Sequence, residues 1–379
     1  MDEGIDGPRA LRPTEFESLR ALTDVVFRPG MPEQYPQLYN ADNIERLRVC
    51  IADGKCVSHV GMTERHALLF GCPIQVCCIG SVCTYPEYRG LGLASACFED
   101  AVSVARKDGV DLMIVSGSRG LYRRQGCLHV GQDTRFVLNA ADLPWPRGVS
   151  LPEVTLEEMT EEDLPLLQEC YRNEPVRWVR PLDDYRYALQ WSWVMDRRTE
   201  FLVVREASAF RGYLLVHPPR EDRKSRIAEF AGDRRCLLAS LPAVIRRYDL
   251  QELHWQVLRH DDLFRSLCES VALPGEPAAT TATFKLINFP QLMARMGAYW
   301  EEKLGVREAA NLRFWQQGDE YGFGFAGEEW VTDRDTATGI VFGDVEGLGA
   351  AAMAGDGTLP TALREILPLP CLWYGINYV

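Results

Sequence analysis

One stretch of the chain, residues 79–131, decides the fold: IGSVCTYPEYRGLGLASACFEDAVSVARKDGVDLMIVSGSRGLYRRQGCLHVG. It begins with an apolar, β-rich run at 79–84 that stops at Tyr85-Pro86. Residues 89–94 (RGLGLA) turn the chain, and apolar residues at helical spacing follow over 94–105. Residues 112–115 (LMIV) form a short apolar run of buried type. The stretch therefore predicts a strand, a glycine-rich turn, a helix and a second strand.

Small residues at 90, 92 and 94 let the backbone N–H groups at the start of this helix approach one anion closely. The pattern R/Q-x-x-G-x-G/A is met by Arg89, Gly92 and Ala94, with an extra glycine at 90. It resembles motif A of the GCN5-related N-acetyltransferases (GNAT). The resemblance implies that acetyl-CoA binds here as acyl donor. The implied CoA contacts are Val82, Cys83 and Thr84 for pantetheine, Arg89, Gly90, Leu91, Gly92, Leu93 and Ala94 for the pyrophosphate, and Ser118.

The glycines also fit a loose dinucleotide-binding pattern, Gly90-x-Gly92-x-x-Ser95. That pattern follows its strand immediately and has an acidic residue about 20 residues later, at the end of the next strand. Here five residues separate Thr84 from Gly90, and Asp111 begins the next strand instead of ending it. The sequence therefore favours CoA over a nicotinamide or flavin nucleotide. A strand–helix turn without a ligand is the other alternative.

Residues 116–127 (SGSRGLYRRQGC) lead out of the second strand and contain Tyr122. They resemble motif B of the same family, in which a tyrosine lies beside the thioester sulfur. A phenol with a pKa of about 10 is protonated at neutral pH and close in acidity to a thiol, so it can protonate a departing thiolate. Tyr122 is therefore the candidate general acid. The alternative is a packing tyrosine with a solvated hydroxyl.

Twelve cysteines are scattered through apolar contexts without a C-x-x-C motif or paired Cys/His spacing. Such cysteines are small apolar residues far more often than disulfides or ligands, and we expect no metal. Cys83 and Cys127 fall near the proposed thioester, but only His129 lies nearby in sequence to activate a thiol. The sequence therefore favours direct attack on the thioester over an acyl-cysteine.

An internal repeat divides the chain. Thr14 and Thr160 each stand three residues before an acid and ahead of an amphipathic run, which predicts the first helix of two similar units. A proline-rich linker at 143–148 separates these units. At the position of motif A the second unit has only Gly232, followed by Asp233, whose carboxylate would repel a pyrophosphate. We therefore expect the second unit to bind no CoA and to wall the substrate cleft of the first.

A Pro/Gly/Ala linker at 273–279 precedes a third unit, for which the pattern predicts a strand at 283–287 and a helix at 289–300. Residues 284–293 (FKLINFPQLM) resemble the sterol-carrier-like terminal domain of the enhanced-intracellular-survival (Eis) branch of the GNAT family. The resemblance implies an α/β (α+β) fold with tandem GNAT domains, each a central mixed sheet flanked by helices. The second is degenerate, and a sterol-carrier-protein-like α+β domain follows. The implied domains are 1–147, 148–282 and 283–379.

The last residues, 367–379 (LPLPCLWYGINYV), are rigid, aromatic and apolar, unlike a frayed terminus, so we expect them to be buried. In Eis-type enzymes the chain terminus enters the active site of the first domain. The resemblance implies that the Val379 carboxylate is the general base, pairing with the incoming ammonium and collecting its proton. A tail packed as a strand on its own domain is the alternative. Tyr378 stands where the branch has an acidic residue, so aminoglycoside recognition does not carry over directly.

The chain has 41 basic and 54 acidic residues, a net charge of −13, which argues against a nucleic-acid partner. Capture of the polyanionic CoA must then rest on local groups, among them Arg89, Arg119, Arg123 and Arg124. The acidic excess would attract a polycationic amine or simply solubilise the surface. Asp24, on the first helix, is by resemblance a substrate-binding wall residue, with a solvated helix position as the alternative.

No run of about 18 apolar residues is present, and residues 1–6 are acidic without a signal-peptide core. The sequence thus predicts a cytoplasmic protein without a membrane span. The packing surface of the second and third units predicts a symmetric homo-oligomer, a hexamer by resemblance. Two functions stay open. One is acetyl transfer by direct attack of a primary amine of an aminoglycoside, a polyamine or a lysine, and the other is non-catalytic binding of CoA or of a lipid by the third unit.

Overall fold

The computed structural model describes residues 4–146, 150–344 and 347–379. The expected boundary at 147/148 lies outside the described residues. The first part contains β1 (Ile5–Ala10), α1 (Phe16–Val26), α2 (Met31–Gln34), β2 (Leu47–Ala52), β3 (Lys55–Leu69), β4 (Cys72–Thr84), α3 (Leu93–Lys107), β5 (Leu112–Val115), α4 (Gly120–Arg124), β6 (Leu128–His129) and β7 (Asp133–Asn139). The second part contains β8 (Thr155–Glu158), α5 (Leu164–Arg172), β9 (Val176–Trp178), α6 (Leu182–Trp191), β10 (Trp193–Val194), β11 (Arg197–Arg198), β12 (Glu200–Glu206), β13 (Ala209–His217), β14 (Lys224–Gly232), α7 (Arg234–Arg247), β15 (Glu252–Val257), α8 (Asp262–Ser270) and β16 (Glu276–Ala278). The third part contains β17 (Thr283–Leu286), α9 (Phe289–Arg295), α10 (Gly297–Leu304), α11 (Val306–Ala309), β18 (Arg313–Gln317), β19 (Glu320–Phe325), β20 (Glu328–Thr332), α12 (Arg334–Phe342), α13 (Leu348–Ala352) and α14 (Thr358–Ile366).

Two large sheets have the same strand order. The first runs β1-β2-β3-β4-β5-β17-β6, with β9 added beside β3, and the second runs β8-β12-β13-β14-β15-β7-β16. In both, the central fourth and fifth strands are parallel, β4 with β5 and β14 with β15, whereas the other neighbours in the order are antiparallel. The repeat in the sequence is therefore a repeat of the fold, and the prediction of tandem mixed sheets is confirmed.

The sixth strand of each sheet comes from outside the part of the chain that supplies most of its other strands. β17 lies between β5 and β6, where Phe284 pairs with Ile114 on one side and Leu128 on the other. β7 takes the equivalent place between β15 and β16. β17 was expected to open the third unit and β7 to end the first, yet each completes a different sheet. A strand of the third part thus completes the first sheet, and a strand of the first part completes the second sheet. The hydrogen bonds of these two strands hold each sheet to a distant stretch of chain.

The third part packs helices around a small antiparallel sheet, β18-β19-β20. Phe289 is buried at its centre and contacts the rings of Phe314, Tyr321 and Phe323. The single helix expected over 289–300 is two helices, α9 and α10, because the chain breaks before Gly297, a residue with low helix propensity.

The helix expected after the glycine turn is present as α3. Its buried residues recur at helical spacing and face the first sheet: Leu93, Cys97, Phe98, Ala101 and Ala105. The two expected helix starts differ. Thr160 begins its turn with Asp163 as acceptor, as predicted, but the first turn begins at Pro13, and Glu15 rather than Glu17 accepts the hydrogen bond, from the N–H of Arg12.

Candidate active site

The two central strands of the first sheet separate at one end. β4 and β5 pair from Val76 to Ile79, and β5 ends there at Val115. β4 continues to Thr84 beside β3, with a register shift after Gly80 and a positive φ of 54° at Ser81. The β5-facing edge of residues 82–84 is therefore open to an extended ligand.

The expected pantetheine contacts lie along that edge. Val82, Cys83 and Thr84 are buried, and the Thr84 hydroxyl is 2.8 Å from the hydroxyl of Ser58 on β3. The Thr84 side chain is thus turned towards β3. The backbone carbonyl oxygen of Thr84 accepts a hydrogen bond of 3.3 Å from Arg89 Nε. These residues can offer a ligand their backbone groups rather than their side chains.

The glycine turn after β4 is exposed and directly precedes α3. Gly90 and Gly92 have φ values of 84° and 77°, which a residue with a Cβ adopts only at a cost, and the space where a Cβ would stand is open in both. Gly92 caps α3, and the first hydrogen bond of the helix runs from Ala96 N to Gly92 O. The N–H groups of the first turn, including those of Leu93 and Ala94, have no partner within a helix. They can hold an anion at the positive end of the helix.

Tyr122 lies on α4, beside the open end of β5. It is buried against Phe98, with ring centroids 6.0 Å apart, and a Cβ added to Gly117 would come within 3.0 Å of its ring. Burial raises the pKa of Tyr122 to about 12, while Arg119 acts in the opposite direction. The hydroxyl is therefore protonated at neutral pH, and burial makes it a weaker acid than a free phenol.

The end of the chain lies at the point where β4 and β5 separate. Val379 is buried, and Ser116 Oγ donates a hydrogen bond of 3.3 Å to its carbonyl oxygen. A Cβ added to Gly80 would overlap the carbonyl group of Val379. The neighbouring residues Ser116 and Gly117 thus contact Val379 and Tyr122 respectively. The expected burial of the tail is confirmed, and the tail is not a strand of its own domain.

A buried ion pair of the second unit holds this tail. The side chains of Arg180 and Glu229 are 0% and 4% exposed and form two hydrogen bonds of 2.7 and 2.9 Å. Glu229 also accepts hydrogen bonds from Ile376 N (3.1 Å) and the Tyr213 hydroxyl (2.7 Å), and Arg180 Nε donates to Asn377 Oδ1 (2.5 Å). The tail is therefore fixed by charged groups of the second unit. A glutamate in the middle of the apolar strand at 227–231 (IAEFA) was the available signal in the sequence.

The second unit lacks the anion-binding turn. Asp233 caps α7, and its Oδ1 accepts hydrogen bonds of 2.9 Å from the N–H groups of both Arg235 and Cys236. A carboxylate of the chain thus occupies the helix end that corresponds to the turn before α3. This observation agrees with the expectation that the second unit binds no CoA.

Two expected site residues have other surroundings. Asp24 accepts a hydrogen bond of 3.0 Å from Gly30 N and lies 4.0 Å from Arg20, so its carboxylate stabilises the end of α1. Ser118 is exposed and, with His129 and Asp344, lines a cavity of about 590 Å³ at the border with the third part. Neither contacts Val379 or Tyr122 through a hydrogen bond among the described residues.

A small cavity of about 370 Å³ adjoins the tail. Its lining includes the aromatic residues Tyr35, Trp193 and Tyr378 and the carboxyl group of Asp184 on α6. Asp184 Oδ1 lies 3.6 Å from Arg65, whereas Oδ2 is buried without a hydrogen-bond partner in the described part of the chain. Burial raises the pKa of Asp184. Sequence reasoning missed this group, because α6 has no motif that distinguishes it.

The cysteines near the site are buried thiols. Burial raises the pKa of Cys127 to about 12 and that of Cys83 well above its usual range, which disfavours the thiolate needed for an acyl-cysteine. Among residues 4–146, 150–344 and 347–379, no three His, Cys, Asp or Glu side chains form a metal-binding group. No helix in these same ranges is long and apolar enough to span a membrane.

Residues 8–130 match the family model described as the acetyltransferase (GNAT) domain. The first unit is an acetyltransferase domain. Its extent covers the open edge of β4, the glycine turn, α3 and Tyr122, and domains of this type use acyl-CoA donors. No curated protein matches the chain in sequence.

The similarity to solved structures extends well beyond the acetyltransferase domain. A probable N-acyltransferase from Enterococcus faecalis V583, described as a conserved protein of unknown function, has a TM-score of 0.66 at 16% identity, covering 97% of both chains. A GCN5-related N-acetyltransferase from Kribbella flavida has a TM-score of 0.63 at 14% identity, covering 96% of this chain and 98% of that one. Eis1 from Mycobacterium abscessus has a TM-score of 0.63 at 12% identity, covering 97% of both chains. At these identities the similarity establishes a shared fold.

Proposed function

We propose that this protein transfers the acetyl group of acetyl-CoA to a primary amine of a cationic acceptor by direct attack, with Tyr122 as general acid and the Val379 carboxylate as base. The observation that carries the proposal concerns two consecutive residues that follow β5. Ser116 contacts Val379 and Gly117 contacts Tyr122, where β4 and β5 separate. The proposed base and the proposed acid thus each contact the segment that directly follows β5.

The acyl donor fits the elements that lead to this point. The open edge at 82–84 suits an extended pantetheine arm, and the exposed turn at 89–94 presents unpaired N–H groups for a pyrophosphate. The thioester supplies an activated acyl group. What the chain contributes is orientation of the two reactants and removal and return of protons, which is sufficient for large rate enhancements when the geometry is fixed.

The acceptor class is supported by the cavity beside the tail. Asp184 lines this cavity together with Tyr35, Trp193 and Tyr378, and its buried Oδ2 has no hydrogen-bond partner in the described part of the chain. A carboxylate among aromatic faces favours a cation. We therefore propose a polyamine, a lysine side chain or an aminoglycoside as acceptor, in agreement with the net charge of −13.

The proton at each end of the reaction has a defined carrier in this proposal. Val379 pairs with the incoming ammonium, and the neutral amine attacks after its proton has passed to the carboxylate or to water. Tyr122, whose pKa burial raises to about 12, keeps its proton until the thiolate leaves. The C–N bond forms as the C–S bond breaks, and the sulfur takes the Tyr122 proton and leaves as a thiol. The second proton, which the nitrogen loses as the amide forms, returns Tyr122 to its protonated state.

The test compares an N-terminally and a C-terminally extended protein in an assay of thiol release from acetyl-CoA with a panel of amines. The intact mass is measured first, because the proposal requires that Val379 carries a free carboxylate. We expect the C-terminal extension to impair transfer without unfolding the protein, and the N-terminal one to have no effect. Full activity of the C-terminally extended protein with every accepted amine would refute the role of Val379.

The alternative of a CoA- or lipid-binding protein without catalysis predicts acetyl-CoA binding but no amine-dependent thiol release. We also propose that the third unit is a sterol-carrier-like domain. The cytoplasmic location and the homo-oligomer, with a hexamer by resemblance, stay predictions.

A further inference from the structure

The second sheet has a basic face on the side opposite to α7 and α8. Alternate residues of β15, Leu253, Trp255 and Val257, are buried in the core with α7. The residues between them point the other way. There His254 pairs with Arg226 of β14, and Gln256 pairs with Arg135 of β7.

This face lines an open cavity of about 1250 Å³. Arg197 of the β10–β11 hairpin and Arg220 of the loop after β13 also line it. Its basic residues are Arg135, Arg197, Arg220, Lys224, Arg226 and His254. Some of these charges are neutralised within the protein. Lys224 forms an ion pair of 2.8 Å with Glu252, whose other oxygen is hydrogen-bonded to His254 Nε2 at 2.9 Å, and Arg135 pairs with Glu276.

Three guanidinium groups remain. Arg197, Arg220 and Arg226 have no carboxylate within 4.0 Å in the described parts of the chain. Asp222 is the acidic residue that lines the same cavity, and its Oδ1 accepts a hydrogen bond from Lys224 N. The cavity therefore holds three unpaired guanidinium groups against one carboxylate, in a chain with a net charge of −13.

The arginines are held close to one another. Arg226 is half-buried and lies over the ring of Trp373, 5.3 Å from its centroid. Burial and the neighbouring Arg197 lower the pKa of Arg226. Burial and Arg220 lower the pKa of Arg197, and Asp222 acts on it in the opposite direction. Like charges kept together in a partly desolvated cavity cost free energy unless an anion joins them.

We propose that this cavity is a binding site for the phosphate group of a soluble phosphorylated small molecule. A phosphate dianion balances the local charge, and guanidinium groups bind phosphate oxygens in pairs. The cavity is larger than a phosphate and leaves room for the organic part of the ligand. The site lies on the second sheet, away from the glycine turn of the acetyltransferase domain, and does not depend on the proposed function.

The test is calorimetric titration of the full-length protein with sodium pyrophosphate at constant ionic strength. We expect Arg197→Gln and Arg226→Gln to weaken one binding event at least tenfold. Arg220→Gln should weaken the same event without a change in packing, because Arg220 is exposed. If Arg226→Gln fails to fold, the dissociation constant of Arg220→Gln is the test. Arg211→Gln is the control, because Arg211 is an exposed arginine of the same sheet paired with Glu206. It should leave the dissociation constant within twofold.

The glycine turn is a second possible anion site, so the titration is repeated with Gly92→Val. The event that depends on Arg197 and Arg220 should persist in this variant. If pyrophosphate binding is lost in Gly92→Val and unchanged in the arginine variants, the proposed site is wrong. The proposal is equally overturned if no event depends on the arginines and their replacement instead changes the oligomeric mass, since the cluster would then be an interface between copies.

Discussion

Ser116 Oγ donates a hydrogen bond of 3.3 Å to the carbonyl oxygen of Val379, although 263 residues separate the two. Ser116 follows β5 of the acetyltransferase domain directly, and Val379 ends a tail that Arg180 and Glu229 of the second unit hold in place. The tail, which belongs to the third part of the chain, thus contacts both the acetyltransferase domain and the second unit near the opening between β4 and β5.

Gly80→Ala should displace the tail. A Cβ at this position overlaps the carbonyl group of Val379, which belongs to the backbone and cannot rotate away as a side chain can. We expect kcat for acetyl transfer to fall at least tenfold while the dissociation constant of acetyl-CoA changes little, measured by steady-state kinetics and calorimetry. Gly297→Ala is the matched control, because no atom lies within 4 Å of a Cβ added there. Normal kcat in Gly80→Ala would show that the position of Val379 does not matter.

Glu229→Ala should destabilise the protein and impair transfer together. It leaves the fully buried Arg180 without its partner, a change that costs about 3–5 kcal/mol of the free energy of unfolding in comparable cases. Urea unfolding measures the loss.

The double variant Arg180→Met/Glu229→Leu separates the two effects. It removes both charges, so much of the stability should return. Transfer should stay impaired, because Ile376 N and Asn377 have then lost their partners. A double variant with recovered stability and full activity would show that the ion pair serves folding alone.

Gly92→Val should abolish binding of acetyl-CoA, which we expect at one molecule per chain. The substitution places a β-branched residue at a φ of 77° and fills the space beside the N–H groups of α3. Gly54→Val carries the same strain, with a φ of 75° and open space around the Cβ, but lies in the turn between β2 and β3. Its binding should be unchanged. Two molecules bound per chain, or normal binding by Gly92→Val, would place the pyrophosphate elsewhere.

The free energy of unfolding should fall as the pH drops from 6.5 to 4. Burial lowers the pKa of His59 to about 4, so in this window the unfolded chain binds a proton that the folded chain does not, which removes up to about 3 kcal/mol. The pKa values of His217 and His260 are also lowered to about 4 by burial and act in the same direction. Asp133, with a pKa raised to about 6 by burial, opposes them.

Urea unfolding at pH 7.5 and 4.5 measures the difference. His59→Gln should show a smaller loss than the wild type, whereas His66→Gln, at an exposed position, should match it. Equal losses in all three proteins would exclude His59 as a source of the pH dependence.

Local patterns in the sequence were sufficient for the strand, turn and helix around Gly92 and for the repeat of the unit. Apolar periodicity and glycines act over a few residues, so they can be interpreted without the fold. These local patterns could not predict that β7 joins the second sheet and β17 the first. Both are short strands, and nothing within a strand of this length specifies which sheet it joins.

Local patterns could not predict that Arg180 pairs with Glu229, or that both contact the tail, because these contacts form only in the assembled fold. The charges are 49 residues apart, and Asn377 is 197 residues from Arg180. The family resemblance supplied the expectation that the tail reaches the first unit. It supplied no residue of the second unit that holds the tail, because those contacts are set by packing between distant segments.

The most direct test of the account is the rate of amine-dependent thiol release from acetyl-CoA by the wild type and by Tyr122→Phe, with Tyr248→Phe, a tyrosine of the second unit, as the control. The account predicts that release requires both the protein and an amine. It also predicts that Tyr122→Phe lowers kcat by about 10²–10⁴ with acetyl-CoA binding retained, the range usual for loss of a general acid. An unchanged kcat in Tyr122→Phe, or no amine-dependent release by the wild type with any amine of the panel, would contradict it.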